Sequence, residues 1–207
     1  MGSSVSTKVH TLVSTAQSVL GRRKSPFDPL GLEVQRVLAL LNPLPPLSGW
    51  FPKNNHPATV HIGTALKSGS DATAALLDVV TPVIRHLPWQ HSPAAPENAP
   101  GLEPRAAVAE IIGPEAPFRH RAVRLGLALI APNTHCAAHH HSTTELIYVI
   151  TGVATWVQNG VPREAPPGTF IFHPPQSVHT VCTSADAILA LYTQSITEAL
   201  DAPEYSI

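Results

Sequence analysis

Beyond residue 104 the chain is a succession of short apolar runs separated by turn residues, and that texture limits the architectures open to it. In "RAVRLGLALIAP", Val123, Leu125, Leu127 and Leu129 alternate with Arg124, Gly126, Ala128 and Ile130, a period of two that belongs to strands. The runs "ELIYVIT", "VATWVQ", "TFIFH", "VHTVCT" and "AILALYT" follow, punctuated by Thr151-Gly152, Asn159-Gly160 and Pro166-Pro167-Gly168. Asn159-Gly160 predicts a two-residue hairpin, because both residues tolerate the positive φ of a type I′ turn. Many short strands at such spacing predict a sandwich or a small barrel.

The first half reads differently. "VSTKVHTLVSTAQSVL" sets Val5, Val9, Leu12, Val13, Ala16 and Leu20 at helical spacing, so that one stripe faces a core. "GLEVQRVLALLNP" does the same with Leu32, Val34, Val37, Leu38 and Leu41, and Pro43 prevents continuation. "SGSDATAALLDVVTPVIRHLP" offers Ser70 or Asp71 as an N-cap and Pro82 as a kink or early end. "PWQHSPAAPENAPGLEP" is an irregular connection crowded with proline. The expected organisation is an N-terminal helical segment, 1–104, packing on a barrel formed by 105–207.

Composition narrows the partners. Thirteen Lys and Arg stand against 14 Asp and Glu with no run of like charge, which leaves no electrostatic footprint of a nucleic-acid or anionic-membrane binder. A small-molecule partner is the expectation. No apolar stretch approaches the roughly 20 residues of a membrane span, and the N-terminus lacks the apolar core of a signal peptide, so a cytoplasmic protein is expected. Cys136 and Cys182 cannot build a disulfide framework and read as free thiols packed as small apolar groups.

The densest chemistry lies in "NTHCAAHHHSTTELIYVITG". On a strand, residues two apart share a face, so His139 and His141 project together and His140 projects oppositely. Glu145 comes four residues later, and "PPGTFIFHPPQSVH" adds Gly168, a short strand, a Pro-Pro corner and His179. His135 and His173 read as structural or supporting groups. His10, His56, His61, His86, His91 and His120 have no spacing partners and receive no role.

The spacing His139-x-His141-x3-Glu145-x6-Gly152, followed by Gly168 and His179, resembles the two metal-binding motifs of the cupins. The resemblance implies a mainly β fold, the cupin double-stranded β-helix barrel, with one divalent metal held by His139, His141, Glu145 and His179. Such a mixed nitrogen and oxygen donor set suits Fe, Mn, Ni, Co or Zn. More finely, "AEIIGPEAPFRHRAVRLGLALIAPNT", "HHHSTTELIYVITGVATW" and "AILALY" are similar to the dimethylsulfoniopropionate (DMSP) lyases and their lyase-like relatives within the cupins. That resemblance implies a β-elimination giving acrylate and dimethyl sulfide, in which the metal binds the substrate carboxylate and a base removes the adjacent proton.

The chain departs from the lyase pattern at the base. Where the family has a tyrosine two residues after the metal-binding glutamate, this sequence has Ile147, and a second family tyrosine corresponds to Cys136. Tyr148 is one step late and would reach the site only through a bulge or register shift. Tyr192, on the last expected strand, is the other candidate base, and His173 could also face the cavity. Trp156, Phe170 and Phe172 are expected to line the pocket beside Ile147 and to make it more apolar than DMSP requires. Two other functions fit the same donor set: an Fe(II)-dependent dioxygenase, and a non-catalytic module that binds a carboxylate through the metal. The helical segment is expected to serve as a lid or as the contact of a homodimer.

Overall fold

The alternation in the second half becomes a sheet with two different faces. The computed structural model describes residues 2–47, 51, 56–91 and 104–195, with side chains of the first helix from Val5 onward. Among them the strands are β1 (Trp89–His91), β2 (Ala106–Gly113), β3 (Phe118–Arg119), β4 (Val123–Ile130), β5 (Thr144–Thr151), β6 (Ala154–Gln158), β7 (Val161–Ala165), β8 (Phe170–His173), β9 (His179–Thr183) and β10 (Ile188–Ser195). The larger sheet runs β1-β2-β4-β10-β5-β8, with β3 beside β2, and the smaller runs β7-β6-β9.

One face of the larger sheet is closed by helices. Val123, Leu125, Leu127 and Leu129 of β4 share a buried core with Leu146, Tyr148 and Ile150 of β5 and Leu189 and Leu191 of β10. The same core takes Val9, Leu12, Val13, Ala16 and Leu20 from α1 (Gly2–Gly21) and Val34 and Val37 from α2 (Pro29–Leu40). The predicted helical stripes therefore bury against the outward face of the sheet. The opposite face packs on the smaller sheet: Ile147, Val149, Ile171, Ile188, Ala190 and Tyr192 meet Ala154, Trp156, Ala165 and Val181 in a second core.

Local signals explain where the helices begin and end. Asp28 caps α2 by accepting the Gly31 N–H at 2.9 Å, and Pro29 occupies the first turn, where its missing N–H costs nothing. In the third helical stretch Ser70 N–H donates to Thr73 Oγ1 at 3.1 Å, and the helix proper, Ala74–Val80, stops just before Pro82. Between these, Ile62–Ala65 forms a single helical turn that no periodicity in the sequence announces. With it the helices number α3 (Ile62–Ala65) and α4 (Ala74–Val80).

Two features differ from simple expectation. The sheet recruits Trp89–His91 from the helical half of the chain, antiparallel to β2. Strand β2 itself, "AAVAEIIG", is rich in alanine and reads poorly as a strand, but pairing with β1 and β4 on its two sides decides its conformation. The proline-rich stretch 92–103, where the sequence puts its boundary, lies outside the described residues. The Asn159-Gly160 turn is as expected, with φ of 50° and 79° between the paired residues Gln158 and Val161.

Because α1 seals the outer core, Leu12, fully buried in it, tests how far helix and sheet form one unit. Leu12→Ala is expected to cost about 2–5 kcal/mol and to lower the urea midpoint with an unchanged slope, measured by circular dichroism.

Candidate metal centre and cavity

The inward face of the larger sheet is ordered in cross-strand rows. In one row Arg124 of β4 pairs with Gln194 of β10, Gln194 with Glu145 of β5, and Glu145 with His173 of β8. In the next, Gly126 pairs with Tyr192, Tyr192 with Ile147, and Ile147 with Ile171. The first row is polar and the second largely apolar. Both border a cavity of about 270 Å³, whose lining includes His139, His141, Glu145, His179, Ile147, Trp156 and Tyr192.

The histidines arrive from the smaller sheet. The segment around His135 and His139 runs beside β9 through isolated bridges, and His139 and His179 exchange backbone hydrogen bonds of 3.0 and 2.9 Å. His139 and His179 are thus direct cross-strand neighbours, with ring centroids 4.4 Å apart. His141 follows two residues on and leads into β5, where Glu145 enters from the other sheet. Gly152, which closes that motif, has φ of +73°, and a Cβ there would lie 2.4 Å from the Ala187 carbonyl oxygen. Only glycine fits the corner.

Nitrogen atoms of His139, His141 and His179 lie within 4.8 Å of one another, as do donor atoms of Glu145, His173 and His179. Glu145 Oε2 is 3.8 Å from His141 Nε2 and 3.5 Å from His179 Nε2. The hydrogen-bonding pattern suits a metal. His139 Nδ1–H donates to the Ala137 carbonyl at 2.9 Å, and His179 Nδ1–H to the Ser177 carbonyl at 2.8 Å. Each bond fixes the tautomer and leaves the Nε2 lone pair for a cation.

Electrostatics point the same way. Burial holds the His139 imidazole below its ordinary pKa and takes His179 down to about 3, so both are neutral, the ligating form. Burial alone would raise Glu145, but the hydrogen bond from His173 leads the effects that outweigh it and hold the carboxyl well below the usual carboxylate range. Cys136, in the cavity wall, is pushed up to about 12 by burial and stays a neutral thiol.

The structure brings His139, His141, Glu145 and His179 together and sends other candidates elsewhere. Tyr148 points away from the cavity: it belongs to the outer core, its hydroxyl donates to the Ala72 carbonyl at 3.1 Å, and its ring lies 4.7 Å from that of Phe170. The register shift that would turn it inward is absent at this point, since β5 and β8 pair without a break from Glu145 to Tyr148 and the irregularity against β10 falls after Val149. Tyr148 therefore does not reach the cavity, contrary to its expected role as a base. Phe170 and Phe172 also pack on the helical side and not in the pocket, whereas Trp156 lines it as expected. Tyr192 lines the cavity, its ring laid across Gly126, where a Cβ would come within 2.8 Å of Cε1. Sequence reasoning missed Gln194, Arg124 and Glu110 in the wall; Arg124 Nε lies 3.6 Å from Glu110 Oε2.

The model of one protein family, described as dimethylsulfoniopropionate lyase, matches residues 34–190. The chain belongs to the DMSP lyase family. By that membership it is a lyase built on the cupin barrel with an N-terminal helical layer. Among solved structures, a crystal structure from work on the DMSP lyases RdDddP and RnDddQII superposes with a TM-score of 0.74 at 22% identity, covering 98% of this chain and 100% of that one. The DMSP lyase DddQ from Ruegeria pomeroyi DSS-3 gives 0.74 at 21% identity, over 95% of this chain and 94% of that one. At these identities the likeness speaks to the fold. No curated protein sequence matches the chain, and among the described residues no helix is long and apolar enough to cross a membrane.

Two expectations follow from the geometry. Tyr148→Phe removes one half-buried hydrogen bond, so it should cost about 1 kcal/mol in urea melts and leave cation binding unchanged. The histidine shifts also set a pH dependence. The unfolded chain takes up protons at His139 and His179 near pH 6.5, whereas the folded chain does so only at lower pH, about 3 for His179. Below pH 6.5 the unfolded state binds more protons, so the metal-free protein should lose thermal stability as pH falls through that window. Melting temperatures read by calorimetry across the range would check it.

Proposed function

We propose that the chain is a metal-dependent lyase whose single divalent cation is held by His139, His141, Glu145 and His179, and which eliminates a neutral sulfide from a small carboxylate. DMSP is the first substrate to test. The observation that carries this reading is the convergence of three imidazoles and a carboxylate on the wall of an apolar cavity that Tyr192 lines from the neighbouring row. Iron, manganese, nickel, cobalt and zinc all suit such donors.

A cation held there supplies Lewis acidity to the substrate carboxylate and acidifies the C–H bond beside it. The protein's own groups do the rest. Tyr192, as its phenolate, takes the proton from that carbon and becomes the neutral phenol; the C–H electron pair becomes the C=C bond of acrylate, and the C–S pair leaves with sulfur as neutral dimethyl sulfide. Ile147, Trp156, Val181 and Ala190 keep that end of the cavity apolar, which strengthens every charge interaction inside it. Ile147 in place of the family tyrosine also leaves room for larger alkyl groups on sulfur, so homologues of DMSP extended at sulfur are the second substrates to assay. Balanced charge and the lack of a long apolar helix among the described residues support a cytoplasmic protein acting on a diffusible substrate.

Headspace dimethyl sulfide released by purified protein loaded in turn with Fe(II), Mn(II), Ni(II) and Zn(II) tests the reading, with His141→Ala as the control that should abolish release. Tyr192→Phe should lower kcat by about 10²–10⁴-fold while leaving cation affinity in place. Oxygen uptake by the Fe(II) protein without sulfide release would point instead to a dioxygenase. Ligand-dependent thermal stabilisation without turnover would point to a binding module.

A further inference from the structure

Glu145 is the only one of the four donors whose ligating group has two equivalent atoms, and both are already engaged by neighbours in its row. His173 Nδ1–H donates to Oε2 at 2.9 Å, and Gln194 Nε2 donates to Oε1 at 3.1 Å. The two donors sit on the strands flanking β5, as direct cross-strand partners of Glu145. His173 is 1% exposed and stacks on His179 with centroids 3.7 Å apart and planes 13° from parallel. Its Nε2 is buried without a hydrogen-bond partner. A side chain so placed donates to the carboxylate at one ring edge and packs its face against another donor's ring.

A carboxylate that is free to rotate can take a cation with one oxygen or with both, and the second mode uses up a coordination position. A carboxylate hydrogen-bonded at both oxygens from opposite sides cannot rotate without breaking one bond. We infer that His173 and Gln194 are positioning residues that hold Glu145 as a one-oxygen ligand and so keep a coordination position open for the substrate carboxylate. The inference rests on the metal-site reading above and extends it from the ligands to the groups that orient them. Outer partners of this kind commonly set metal affinity by 10- to 100-fold.

The test is a Co(II) titration of the full-length protein, followed by visible absorption, whose intensity falls as coordination number rises. His173→Phe keeps the stack on His179 and loses the donor; Gln194→Leu removes the other donor; His173→Asn restores an amide N–H close to the place of Nδ1. His173→Phe and Gln194→Leu should each weaken Co(II) binding by about 10- to 100-fold and dim the absorption bands, with the melting temperature of the metal-free protein reporting that the fold persists. His173→Asn should recover most of the affinity and the wild-type spectrum. Wild-type affinity and spectrum in both donor-less variants would overturn the inference, since the side chains would then merely fill space. Equal losses in His173→Phe and His173→Asn would also overturn it, because the imidazole would then be a ligand itself. Wild-type protein that binds no Co(II) would sink the metal site, and the clamp with it; the two failures are told apart by the wild-type titration alone.

Discussion

The two-residue alternation of β4, β5 and β10 is the constraint on which everything else depends. Along β4, β5 and β10 one set of side chains is committed to the helical core, and only the other set is left for chemistry. A slip of one residue would exchange Glu145 for Leu146 and Tyr192 for Leu191, and would turn the site inside out. The helices matter to function through this constraint. By burying Leu146, Tyr148, Ile150 and their neighbours they make the register worth holding, and that register aims Glu145 at the histidines of the other sheet.

Much of this was legible because the signals are short in range. Alternation in "RAVRLGLALIAP" is visible within twelve residues, and His139, His141 and Glu145 lie within a single turn and strand. His179 comes from a second, equally local motif. What stayed hidden depends on long-range pairing. Gln194 reaches Glu145 across 49 residues and His173 across 28, and only the order of strands in the sheet makes them neighbours. The sequence reading places Phe170 and Phe172 in the pocket, whereas they pack on the helical side. His173 faces inward, so its neighbour Phe172 must face outward, a parity that follows once the side of one residue is known.

Ile147 changes the chemistry of the cavity wall. The position that the resemblance reserves for a tyrosine keeps its inward orientation and its place beside Tyr192, but carries no polar atom. The phenol of this cavity comes from the adjacent strand, with its ring laid over Gly126. The absence of a side chain at Gly126 on β4 thus makes space for that ring on β10. Under the proposed chemistry the phenol stands one strand over from the position that the resemblance reserves for it.

The donors also divide unequally between the sheets. His139 and His179 belong to the smaller sheet through their mutual pairing, whereas Glu145 stands on the larger. A cation held among them would cross-link the two sheets, and its binding energy would become folding energy for the site. Under the proposed function, metal occupancy and the shape of the cavity would be one property of the molecule: an ion held by these donors would also tie together the walls that grip the substrate.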